Sequence, residues 1–174
     1  NRFGKVSPTT AQHVLDDLGE LLDPKRDRIL DGGPCRVGVE STIVDLTAEP
    51  PQLLRAGAID AEAIERLLDT SVAGASGPSR AAGMLTSHYA PACRVVLAET
   101  EAELHELADT ARSTGRRVAV LDRTDDLVTA AQRLYDDLRG ADRSGAEVLV
   151  VRLPPAEGLG HALRDRLSKA AAHR

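Results

Sequence analysis

Arg94-Val95-Val96-Leu97, Arg117-Val118-Ala119-Val120-Leu121 and Glu147-Val148-Leu149-Val150-Val151-Arg152 are short apolar runs, each followed by a stretch with helical spacing. The runs are rich in β-branched residues and too short for buried helices, so they read as strands. The stretches that follow, Glu101–Ser113, Leu127–Leu138 and Leu159–Ala172, repeat apolar residues at helical steps. A strand followed by such a helix returns to its sheet by a right-handed crossover, and the next strand pairs parallel to it. The spacing therefore predicts a small parallel α/β layer over residues 93–174.

Towards the amino terminus the pattern changes. From Thr70 to Pro91, Ser, Gly, Ala and Pro prevail without a period, which marks a linker or a long functional loop over about residues 70–92. Upstream, Ser7-Pro8-Thr9-Thr10 announces a helix, with a hydroxyl suited to the N-cap and Pro where a missing N–H costs nothing. Val14, Leu15, Leu18, Leu21 and Leu22 form one apolar stripe, which Pro24 ends. Cys35 to Leu46 is rich in Val, Thr and Ile and reads as one or two strands, and Gln52–Arg55 as another. Asp60 caps a second helix carrying Ile64, Leu67 and Leu68. So few elements do not close a layer, and residues 1–69 read as a piece of a larger, mixed sheet.

Composition narrows the functions. With 42% apolar and 28% charged residues in 174, the chain can bury a core. Phe3, Tyr89 and Tyr135 are its aromatic residues and Trp is absent, so a stacking platform for single-stranded nucleic acid has little to be built from. The formal charge of −5 is the wrong sign for steering a polyanion. Cys35 and Cys93 stand alone, which argues against a zinc knuckle, a redox dithiol or a secreted disulfide framework. No apolar run approaches the ~18–20 residues of a membrane span, and the expectation is a cytoplasmic protein with no membrane partner and no resident metal.

No Walker loop, helical His pair or Gly-x-Ser-x-Gly elbow is present. Gly158 and Gly160 precede a helix, which suits an anion or simply a tight turn. His13, His105 and His161 read as solvated positions on polar helical faces. Sharper are the phrases Asn1 with Ser7-Pro8-Thr9, Val39-Glu40-Ser41-Thr42-Ile43-Val44-Asp45, Leu53-Leu54-Arg55-Ala56-Gly57 and Gly83-Met84-Leu85-Thr86-Ser87-His88-Tyr89-Ala90-Pro91. Together, in words and spacing, they resemble the L-threonylcarbamoyladenylate synthase family of the YrdC/YciO type, in its two-domain form.

The resemblance implies an α/β protein: the latter part of a YrdC-like catalytic domain at 1–69, a linker or lid at 70–92, and a Rossmann-like carboxy-terminal domain at 93–174. It implies a nucleotidyltransferase that joins L-threonine, bicarbonate and ATP, with Mg2+, into threonylcarbamoyl-AMP and pyrophosphate. The product would serve a threonylcarbamoyl transferase machinery acting on tRNA. Arg55, Asn1, Ser7 and Tyr89 would contact ATP, Ser41 the threonine, and His88 with Tyr89 would belong to the lid. For Ser7 the competing role is a plain N-cap. The family's amino-terminal half, with its Lys-x-Arg element, has no counterpart here, and Phe3 replaces a family Ser. The expectation is therefore an incomplete enzyme, inactive alone. A non-catalytic relative binding nucleotide or RNA, and a regulatory piece docking on another subunit, are the rival readings.

Overall fold

The computed structural model describes residues 4–84 and 88–172. Arg94–Ala98 (β4), Val118–Leu121 (β5) and Val148–Arg152 (β6) form a wholly parallel sheet in the order β4-β6-β5. The central strand β6 is covered on both faces, which is why it reads as a continuous apolar run instead of an alternating one. Helix α3 (Glu101–Ser113) covers one face, setting Leu104 and Ala108 against Ala98, Val148 and Val150. Helices α4 (Leu127–Arg143) and α5 (Leu159–Ala171) cover the other, with Leu134, Leu138, Leu163 and Leu167 packed on Leu149 and Val151. Thr100 caps α3 and Asp126 caps α4, each accepting a backbone N–H of the first turn. Helix α4 continues past Leu138 to Arg143: burial of Leu138 and Ala141 outweighs the low helix propensity of Gly140.

The amino-terminal half carries a small mixed sheet. Ile43–Asp45 (β1) runs antiparallel to Gln52–Arg55 (β2), and Ala73–Gly74 (β3), inside the stretch read as a linker, adds a parallel strand. Helix α2 (Ala61–Leu68) is capped by Asp60 as expected, although Leu67 is 85% exposed and packs on nothing of consequence.

Four expectations need correction here. Helix α1 (Ala11–Leu18) is capped by Thr10 and not by Ser7, whose hydroxyl is used elsewhere. The apolar stripe is cut short as well, because the chain tightens into a 3-10 turn at Gly19–Leu21. The stretch from Cys35 to Leu46 is strand only at Ile43–Asp45. Gly38, at φ +81°, lies against α4 so closely that a Cβ would stand 2.1 Å from Ala131 O, and this contact bends the chain away from any ladder. His13 is buried, hydrogen-bonded through Nδ1 to Thr9 N at 3.2 Å, with Nε2 3.7 Å from Asp136 of α4. It belongs to the seam between α1 and α4.

That seam joins the halves. Val6 enters the same apolar core as Leu138 and Leu149. Arg139 of α4 reaches Asp17 of α1 at 2.7 Å and 2.9 Å and donates to Val6 O at 2.7 Å. Gln132 donates to Arg36 O, and Ala90 N to Gly4 O.

Candidate functional site

Arg55 ends β2 opposite Ile43, the first residue of β1, where the pairing shifts register between Ile43 and Val44. Its side chain reaches past that shift. Nε donates to Ser41 O at 2.9 Å, Nη2 to Ser41 Oγ at 3.1 Å, and Nη1 to Ala82 O at 3.3 Å. The two backbones meet at Gly57, where a Cβ would lie 2.4 Å from Thr42 N and 2.6 Å from Glu40 O. Gly83, at φ +89°, fills the next gap: a Cβ there would stand 2.7 Å from Tyr89 Oη and 3.0 Å from Arg55 Cδ. Ser41, Arg55, Gly83 and the hydroxyl of Tyr89 therefore converge.

Behind them lies a buried polar cluster around Glu40. Its carboxylate accepts from Ser7 Oγ at 2.6 Å, from Tyr135 Oη at 2.9 Å and 2.7 Å, and from Arg166 Nε at 3.0 Å. Burial pushes the Glu40 carboxyl up, but the hydrogen bonds from Ser7 and Tyr135 and the Arg166 charge more than offset it and hold it below its ordinary range. Arg166 is 0% exposed and also donates through Nη1 to Ala56 O at 2.7 Å and to Asp165 at 2.9 Å. Its guanidinium carbon stands 5.5 Å from the centroid of the Tyr89 ring, a cation–π distance. Burial opposes its charge, and the surrounding Tyr135, Glu40 and Tyr89 outweigh that, so Arg166 is held above its ordinary value.

The structure brings Arg55 and Ser41 together directly and sets Ser7 one residue away, on Glu40. Tyr89 is 1% exposed at φ +61°, its ring 5.6 Å from that of Tyr135, and its hydroxyl edge is the part that faces Gly83. His88 stands edge-on to Tyr89 at 4.1 Å and donates its backbone N–H to Lys169 O of α5. Asn1 lies outside the described residues. Gly158 and Gly160 make a tight turn, with Gly160 N bonded to Glu157 O at 2.7 Å. Glu40, Tyr135 and Arg166 escaped the sequence reading. For Arg166 the signal was there: it lies on the stripe of Ala162, Leu163, Leu167 and Ala170, and a charge on a buried stripe needs partners.

A mixed sheet latched onto a parallel α/β layer, with an Arg–Ser pair at the join, defines the class. A family described as "Threonylcarbamoyl-AMP synthase, C-terminal domain" matches residues 59–172, and one described as "Telomere recombination" matches residues 1–57. Threonylcarbamoyl-AMP synthase of Pyrococcus abyssi is 35% identical over 196 residues, covering 100% of this chain and 56% of that protein. The Bacillus subtilis enzyme of that name is 34% identical over 197 residues, with the same coverage. The crystal structure of P. abyssi Sua5 complexed with L-threonine matches with a TM-score of 0.87 at 34% identity, over 98% of this chain and 56% of that one. A P. abyssi Sua5 structure in which an adjacent His–Tyr pair is replaced by alanines matches with a TM-score of 0.84 at 32% identity, over 97% and 54%. The chain belongs to the threonylcarbamoyl-AMP synthase family, and it spans about 56% of the length of these relatives.

Proposed function

We propose that this chain is part of an L-threonylcarbamoyladenylate synthase, which condenses L-threonine, bicarbonate and ATP into threonylcarbamoyl-AMP and releases pyrophosphate. The observation that carries the reading is the match of the whole chain to enzymes of that name, together with the pairing of Arg55 and Ser41. In this reaction a carbamate oxygen attacks the α-phosphate in line, so the site holds several anions together and stabilises added charge on the phosphoryl oxygens. Arg55 meets that need: its planar fork donates paired hydrogen bonds to phosphate and keeps its charge. It would exchange its bonds to Ser41 and Ala82 for the nucleotide, while Ser41 turns its hydroxyl to the threonine carboxylate. P. abyssi Sua5 was crystallised with L-threonine, which supports this substrate class.

Asn1 and Ser7 contribute to nucleotide binding, and Mg2+ enters on the phosphates of ATP. Residues 1–69 form the catalytic part, 70–92 the lid, and 93–174 the domain on which the lid is anchored. His88-Tyr89 is the His–Tyr pair of this sequence, and we assign it to the lid. The product goes to the transferase machinery that modifies tRNA. Exchange of labelled pyrophosphate into ATP by the full-length protein tests the reading. Exchange that depends on threonine and bicarbonate is the expected result, and its absence favours a non-catalytic nucleotide binder.

A further inference from the structure

We infer that Arg166 of the carboxy-terminal helix α5 is a positioning residue of the site, setting the distance between Ser41 and Arg55 from behind. This rests on the functional reading above. Two grips of one guanidinium carry the argument. Nε holds the carboxylate of Glu40, the residue before Ser41, and Nη1 holds the carbonyl of Ala56, the residue after Arg55. The two chain segments that bear the site are thus clasped at 3.0 Å and 2.7 Å by one rigid plane, and Gly57 lets their backbones close to contact.

Arg166 reaches the third member as well, since its charge lies over the Tyr89 ring whose hydroxyl faces Gly83 and Arg55. Helix α5 packs Leu163, Leu167 and Ala170 into the core over the carboxy-terminal sheet, so the clasp is fixed to a packed regular element. A merely structural ion pair would need one partner. The geometry here uses two nitrogens, Nε and Nη1, on segments that flank Ser41 and Arg55, and the carboxy-terminal layer thereby sets the geometry of the phosphate-binding side.

Lysine at this position keeps the charge but has no planar fork, so it cannot hold Glu40 and Ala56 O at the fixed separation that the guanidinium sets. In the full-length protein, Arg166→Lys is expected to lower kcat roughly tenfold or more while KM for ATP changes less. Combined with Arg55→Lys, the loss is smaller than the product of the two single losses, because one variant acts through the other. Amide exchange rises at 40–42 and 55–57 and stays unchanged in β4 and β6. Tyr135→Phe, which removes one donor to Glu40 and no packing, moves exchange at 40–42 in the same direction and serves if Arg166→Lys fails to fold. Multiplicative losses, or unchanged exchange at both segments, overturn the inference. Wild-type protein without threonine-dependent pyrophosphate release overturns the reaction instead, and exchange still decides the clasp.

Discussion

Arg55 makes three hydrogen bonds across the mouth of the site, two of them to Ser41. Because they lie on a half-buried side chain, they contribute little to overall stability and can be exchanged for a ligand. Arg55→Lys in the full-length protein is therefore expected to cost about 2–4 kcal/mol of transition-state stabilisation, roughly 30- to 1,000-fold in turnover, with an unchanged unfolding midpoint. Near wild-type turnover in a steady-state assay would reduce Arg55 to a clasp. Gly57→Ala does the reverse. The added methyl meets the backbone of residues 40–42, so urea unfolding should show a loss of about 1–3 kcal/mol, and a neutral result would mean that the 40–42 turn yields freely. Ser41 and Arg55 were legible because each sits in a short phrase with neighbours that mark it. For Arg166 the stripe of α5 marked a buried charge but not its partners, since Ala56 and Glu40 lie 110 and 126 positions away and only folding brings them together.

At the scale of elements, the segment after α2 is held at both ends. Arg80 pairs with Asp45 at 3.0 Å and donates to Gln52 at 2.8 Å, and Gln52 donates to Ser76 at 2.9 Å. The far end is fixed by His88 N on Lys169 O and by Asp142, which accepts from the backbone of Ala92 and Cys93. Burial, with the Asp142 charge beside it, pushes the Cys93 thiol up to about 12, so it stays a thiol in the core. A segment stitched this way suits a lid better than a tether. Hydrogen exchange of the full-length protein should show protection gained around His88 and Tyr89 when ATP and threonine are added, whereas equal exchange in both states would leave a tether. Tyr89→Ala should raise free AMP per product, because an open site admits water to the adenylate; an unchanged ratio would count against closure. The alternation of strands and helices after residue 93 was read correctly because period and length agree there. The stretch before β1 was misread because β-branched composition cannot report that Gly38 is pressed against α4.

For the whole molecule, the latch between the halves is ionic and acid-sensitive. The hydrogen bond and charge of Arg139 hold Asp17 below the usual carboxylate range, and Glu40 is held below it despite its burial. Burial, with Arg139 beside it, also lowers His13 from 6.5. All three have folded values below their unfolded ones, so the unfolded chain binds more protons in each window and stability falls as pH falls. The His13 contribution is complete above 6.5 and is lost first on acidification, and those of Asp17 and Glu40 follow at and below the ordinary carboxylate range. Urea midpoints followed from neutral pH downwards should decline in that order; a flat profile through both windows would contradict the latch. None of the helices among the described residues is long and apolar enough to cross a membrane. Mass-spectrometric detection of threonylcarbamoyl-AMP from the full-length protein given ATP, Mg2+, bicarbonate and L-threonine tests the proposed reaction at its product. The expected product carries label from both threonine and bicarbonate and appears with one pyrophosphate each. ATP bound without such a product, or turned over equally well without threonine, would contradict that reaction.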